Sequence, residues 1–149
     1  MISNTVRGII ITMLSLDTIY QASYALRDVA RKTDLIRAPK MFPDSEVYLK
    51  TENLQNTGSF KVRGAYYKIS KLSPEDRKKG VIACSAGNHA QGVALAAQHL
   101  GIDAVICVPE GAPISKVEAT RSYGATVELV KGVYDDAHNR AEELSLIHI

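Results

Sequence analysis

Three short apolar runs, Val81 to Ser85, Ala104 to Pro109 and Thr126 to Val130, recur at the spacing of one strand-helix unit. Each is followed by a segment of helical periodicity. "VIACS" and "AVICVP" are apolar throughout rather than alternating, which is the pattern of strands buried on both faces. Strands separated by helices cannot pair as hairpins. They call for right-handed crossovers, and so for an α/β fold: an open parallel sheet with helices on both faces.

The intervening segments fit this frame. "NHAQGVALAAQHLG" sets Ala90, Val93, Ala94, Ala97 and Leu100 on one helical face and stops at Gly101. "SKVEATRSYG" has Ser115 and Glu118 at capping-box spacing and ends at Gly124. "YDDAHNRAEEL" reads as a further helix. Upstream, "SPEDRKKG" predicts a short helix with Ser73 as cap, Pro74 at the first position and Gly80 as the stop. A helix is predicted from about Phe60 to Leu72, after a polar turn from Glu52 to Ser59. "EVYLKTE" predicts a strand from about Glu46 to Thr51, after a loop bracketed by Pro39 and Pro43. Nearer the N-terminus, Ile19, Ala22, Leu26, Val29 and Ala30 stand near helical spacing, with Asp17 as the expected N-cap.

Composition excludes several classes. The 149 residues suffice for a domain with a real core, with 46% apolar and 23% charged residues. A net charge of +2, with both signs interspersed, argues against a nucleic-acid stripe. No apolar run approaches a membrane span. Gly8 to Leu14 is short and lacks a small-residue cleavage site, so it does not read as a signal peptide. Met13 is an alternative start, which would leave residues 1–12 as an unstructured extension. Cys84 and Cys107 lie in strand-like runs and are expected to pack as small hydrophobes. Two such cysteines point to the reducing cytoplasm. No turn or cap follows Leu144, so 145–149 is expected to be a truncated or foreign tail, and the chain an N-terminal fragment of something larger.

Two stretches carry candidate chemistry. The first strand runs into Ser85-Ala86-Gly87-Asn88-His89, where a small-residue turn brings a helix N-terminus to the carboxyl end of a parallel strand. Gly87 permits close approach of a ligand to the backbone. A carboxylate and a phosphate suit such a turn equally, and so does an ordinary helix start capped by Ser85 or Asn88. The second stretch is "TGSFKVRGA". Lys61 there is either a solvated charge or a Schiff-base lysine, made nucleophilic by burial beside Phe60 at a helix N-terminus. The four histidines show no metal-ligand spacing, and the glycines do not spell a dinucleotide fingerprint.

"SFKVRGA" and "SAGNHAQG", in this order behind "LKTENLQNTGSFK", resemble the paired signatures of fold-type II pyridoxal-phosphate enzymes, most closely the threonine (serine) dehydratases, or threonine ammonia-lyases. The similarity runs from about Asp17 to Leu144. It implies that Lys61 forms a Schiff base with pyridoxal phosphate, that Phe60 packs by the cofactor ring and that Asn88 bonds its phenolic oxygen. Ser85, Ala86, Gly87, Asn88 and His89 would receive the substrate carboxylate. It also implies a division of the chain. Residues 1–50 would belong to a large domain and 51–144 to a small α/β domain. The family's phosphate loop and its pyridine-contacting serine lie further along than this chain reaches. The implied reaction converts L-threonine to 2-oxobutanoate and ammonia, with L-serine as a second substrate, and would feed isoleucine synthesis or a catabolic route. The full-length protein would be a homo-oligomer with no nucleic-acid or membrane partner. Serine racemases resemble these dehydratases but carry a second serine in the turn, where this chain has Ala86; that residue has no proton to give and favours dehydration. A racemase or β-replacing synthase of the same fold type is the alternative, as is a binding module without catalysis.

Overall fold

The computed structural model describes residues 14–147. The expectations for residues 1–12, for Met13 and for most of the Gly8 to Leu14 run lie outside these, as do residues 148–149 of the tail. Helix α1 (Leu16–Ala25) starts at Ser15, whose Oγ accepts from the Thr18 N–H at 3.2 Å. Asp17, the expected cap, instead sits in the first turn, near the positive helix end. Helical spacing also ends sooner than expected. After Ala25 the chain tightens into turns, and the N–H groups of Val29 and Ala30 both donate to Leu26 O. Leu26 and Val29 are buried there, while Ile19 is exposed.

Strand β1 (Leu35–Arg37) pairs antiparallel with β2 (Tyr48–Lys50). The strand expected from Glu46 to Thr51 is thus shorter, and its partner was not foreseen. All six residues of the pair are exposed, so no inside-outside alternation marks β1 in the sequence. Two 3-10 turns follow (Glu52–Leu54 and Asn56–Gly58), then α2 (Lys61–Ser70). Helix α3 (Pro74–Lys79) is built as its sequence reads. Ser73 Oγ accepts from the Asp76 N–H at 3.1 Å, Pro74 takes the first position and Gly80 stops it at φ 85°.

The parallel sheet has the order β3 (Val81–Cys84), β4 (Ala104–Pro109), β5 (Thr126–Val130), with Val81 opposite Ala104 and Val105 opposite Thr126. The crossovers are α4 (Asn88–Leu100) and α5 (Ile114–Ser122), and α6 (Tyr134–Ile147) follows β5. Alternation along β4 shows how both faces are covered. Ile106 and Val108 join Ala90, Val93, Ala94 and Ala97 of α4, whereas Cys107 packs with Ala137 and Ala141 of α6. The expected α/β architecture is therefore present. Every residue from Ala90 to Ala97 is buried, more than the single apolar face that the periodicity indicated.

One cap does not form. Ser115 was expected to cap α5 with Glu118. The helix instead starts at Ile114 behind Pro113, which puts Ser115 inside the first turn, and Glu118 pairs with Arg121 at 2.8 Å. Residues 145–147, expected to be tail, continue α6.

Candidate functional site

The β3–α4 turn is formed without a side-chain cap. Ser85 N–H donates to Cys107 O at 3.2 Å, extending the sheet ladder by one bond. Gly87 N–H then donates to Ser85 Oγ at 3.3 Å. Gly87 occupies the N-cap of α4 and no side chain bonds the first-turn N–H groups. The capping role considered for Ser85 or Asn88 is therefore not filled by either residue. The free N–H groups and the positive helix end point off the carboxyl end of β3, an arrangement that suits an anion. Asn88 is the first helical residue, and its Oδ1 accepts from Lys116 Nζ at 2.7 Å.

Lys61 opens α2, its N–H donating to Ser59 Oγ at 3.4 Å. Its Nζ lies 5.0 Å from the Phe60 ring centroid. Both residues are exposed, with Phe60 at 58%. The burial expected to activate Lys61 is thus not provided among the described residues. Two observations nonetheless place Lys61 beside the α4 turn. A Cβ built on Gly92 of α4 would lie 3.0 Å from the Lys61 carbonyl carbon and 3.1 Å from Val62 N, so the two helices meet at a distance that crowds any added side chain. His89, an exposed residue, has its pKa pushed below the ordinary histidine value, first by partial burial and then by the charge of Lys61.

The loop that delivers Lys61 is held by side chains that the sequence reading passed over. Gln55 acts as a surrogate strand. Its Oε1 accepts from Arg31 N–H at 2.7 Å and its Nε2 donates to Arg31 O at 2.8 Å. Asn56 Nδ2 donates to Val29 O at 2.6 Å. Glu52 accepts from Arg63 and from Thr33 Oγ1, and Lys50 Nζ donates to Thr33 O. The clue was the amide-rich run "ENLQN", since such side chains compete with the backbone for its own partners. Thr57 turns the loop at φ 67°, a left-handed conformation rare for a β-branched residue. It is buried, and its Oγ1 has no partner among the described residues; Gln91 Nε2 on α4 is in the same condition.

The candidate residues therefore fall on two adjoining turns: Phe60 and Lys61 on one, Ser85 to His89 on the other. Ala86 packs against the main core cluster. Cys84 and Cys107 stand opposite each other on paired strands, and burial raises both thiols, Cys107 to about 11. An open groove of about 760 Å³ runs between α1 and α2 past Ile19, Leu26, Arg31 and Arg63, away from Lys61.

Comparison with known proteins bears out the family resemblance. The profile of the family described as "Pyridoxal-phosphate dependent enzyme" matches residues 26–146. L-threonine ammonia-lyase of Thermotoga maritima is 51% identical over 131 residues, covering 87% of this chain and 33% of that protein. The processed form of threonine deaminase isoform 2 from Solanum lycopersicum superposes with a TM-score of 0.78 at 40% identity, over 92% of this chain and 42% of that one. Maize serine racemase superposes with a TM-score of 0.83 at 31% identity, over 90% and 41%. The chain spans less than half the length of each of these relatives. With a family match over most of its residues, and a relative more than half identical to it, this chain belongs to the pyridoxal-phosphate dependent enzymes.

Proposed function

We propose that this chain is the lysine-bearing part of a threonine ammonia-lyase, which converts L-threonine, and L-serine as a second substrate, to a 2-oxo acid and ammonia. The observation that carries the reading is the glycine contact between α2 and α4, which sets an exposed lysine amine beside an uncapped helix N-terminus. The two relatives named for threonine ammonia-lyase and threonine deaminase are more similar in sequence than the racemase.

The donor set suits one end of pyridoxal phosphate. A primary amine at Lys61 matches its aldehyde, and the Asn88 side-chain amide matches its phenolic oxygen. Phe60 offers a ring face beside the amine. When bound, pyridoxal phosphate acts as an electron sink for the bond broken at the substrate Cα. The protein's own tasks follow from position. Lys61 Nζ holds the cofactor, and once freed by the incoming amino group it takes the Cα proton. First-turn N–H groups of α4 receive the substrate carboxylate, and Gly87 leaves room for it. Ala86 has no proton to return to the opposite face of Cα, which directs the reaction to loss of the β-hydroxyl. For threonine the products are 2-oxobutanoate and ammonia, matched by one water lost and one regained. In the same reading residues 51–144 form the small domain, residues 1–50 join a larger one, and the complete protein is a cytoplasmic homo-oligomer. No described helix is long and apolar enough to cross a membrane.

The test is a borohydride trap. The chain is mixed with pyridoxal phosphate, reduced, digested and mapped by mass, with Lys61→Ala beside it. A label confined to Lys61, together with loss of 2-oxobutanoate formation when Lys61→Ala is placed in the full-length protein, is the expected result. Undiminished turnover in that variant would overturn the reading. Racemised serine as the main product would favour the racemase.

A further inference from the structure

Lys116 lies in the first turn of α5, yet its Nζ reaches across to Asn88 at the start of α4. Both side chains are half-buried. Among the described residues no carboxylate pairs with Lys116 within ion-pair distance. An ammonium placed without a counter-charge near the positive end of a helix is electrostatically unfavourable by itself. Together with Lys61 it makes the mouth of the two turns a focus of positive charge. The contact also settles an orientation. A lysine ammonium only donates, so the atom of Asn88 that faces it must be the oxygen. Nδ2 is then the atom left to face away, as a donor with fixed direction.

We propose that Lys116 is a positioning residue for the cofactor: it locks the Asn88 amide so that Nδ2 is presented to the phenolic oxygen of pyridoxal phosphate, and its charge favours the ionised form of that oxygen. This rests on the cofactor reading given above and adds a residue to it. Lys116 touches Asn88 and acts through it. A lysine merely filling space between α4 and α5 would be replaceable by an apolar chain of equal length.

The test uses Lys116→Met, which keeps the length and loses the donor, and Lys116→Arg, which keeps a donor. Lys116→Leu, which also lacks a donor, serves the same comparison if Lys116→Met loses its circular dichroism. In the cofactor-free chain, labelled with nitrogen-15, the Asn88 side-chain amide signals should move in Lys116→Met and return toward wild type in Lys116→Arg. With pyridoxal phosphate as probe, affinity should fall about tenfold in Lys116→Met, the loss of one charge-assisted hydrogen bond. The absorbance of the bound cofactor at fixed pH should shift from its visible band to its near-ultraviolet band, and Lys116→Arg should restore both. Unmoved Asn88 signals, or an unchanged spectrum and affinity in a folded Lys116→Met labelled at Lys61, would overturn the proposal while leaving the cofactor reading intact. A wild-type chain in which borohydride labels other lysines but not Lys61 overturns both.

Discussion

Arg63 grips Glu52 with a two-point fork. Its Nε lies 2.9 Å from one carboxylate oxygen and its Nη2 2.8 Å from the other. Thr33 Oγ1 adds a third bond at 2.6 Å. The fork joins α2, two residues after Lys61, to the loop that precedes it. These bonds, Arg63 foremost, hold the Glu52 carboxyl down to about 2, against an ordinary 4.5.

The sign of the pH dependence follows. Between those two values the unfolded chain binds a proton that the folded chain refuses, so this contribution is complete above pH 4.5 and fades as pH falls toward 2. Glu52→Gln should cost roughly 2 kcal/mol at neutral pH, discounted for the partial exposure of Arg63. Urea denaturation across a pH series should show the gap between variant and wild type closing in acid. A gap that is constant down to pH 2 would assign the loss to packing instead.

Gln55 carries a different load. It is 4% exposed and serves both backbone groups of Arg31. Gln55→Leu keeps the bulk but leaves the Arg31 N–H unpaired, while the Arg31 carbonyl keeps Arg63 Nη2 at 3.1 Å, at a cost of about 1–2 kcal/mol. Hydrogen exchange gives the direct check, because the Arg31 amide should lose its protection. Exchange at Arg31 as slow as in wild type would show that the bond is not what holds the loop.

Two glycines should respond with opposite signs. Gly92→Ala places a methyl against backbone atoms of Lys61 and Val62, which must shift by a few tenths of an ångström, and should destabilise by about 1–3 kcal/mol. Gly64 sits mid-helix in α2 with nothing within 4 Å of an added Cβ, so Gly64→Ala should stabilise by up to about 1 kcal/mol. Melting temperatures of the two variants decide this. Equal shifts would remove the case for a crowded contact at Gly92.

The thiols offer a further check. Cys107 is fully buried with its thiol raised to about 11, whereas Cys84 is half-buried. Alkylation by iodoacetamide at pH 8 should therefore modify Cys84 first and reach Cys107 only with denaturant, as mass mapping would show. Matching rates for both in the native chain would mean that the α6 face opens.

Much of the architecture was legible because its signals are local. Continuous apolar runs marked β3 and β4, the repeat spacing marked β5, and Ser73-Pro74 and Gly101 marked helix ends. The β1–β2 pair was half missed, since three exposed residues a side leave no periodicity to read. The α5 cap was misplaced because Pro113 allows a helix to begin one residue before Ser115 can act. At the site, Lys61 and the Ser85 to His89 turn were visible as motifs. Their supports were not: Arg63 with Glu52, Gln55 with Arg31 and Lys116 with Asn88 are partners distant in sequence, which spacing rules for a single helix or strand do not reach.

The contact at Gly92 has a mechanical consequence. With no side chain of Gly92 between α4 and the start of α2, the Lys61 backbone and the turn that opens α4 ride on one piece, like two teeth cut in the same key. Any shift of one helix start must then carry the other with it.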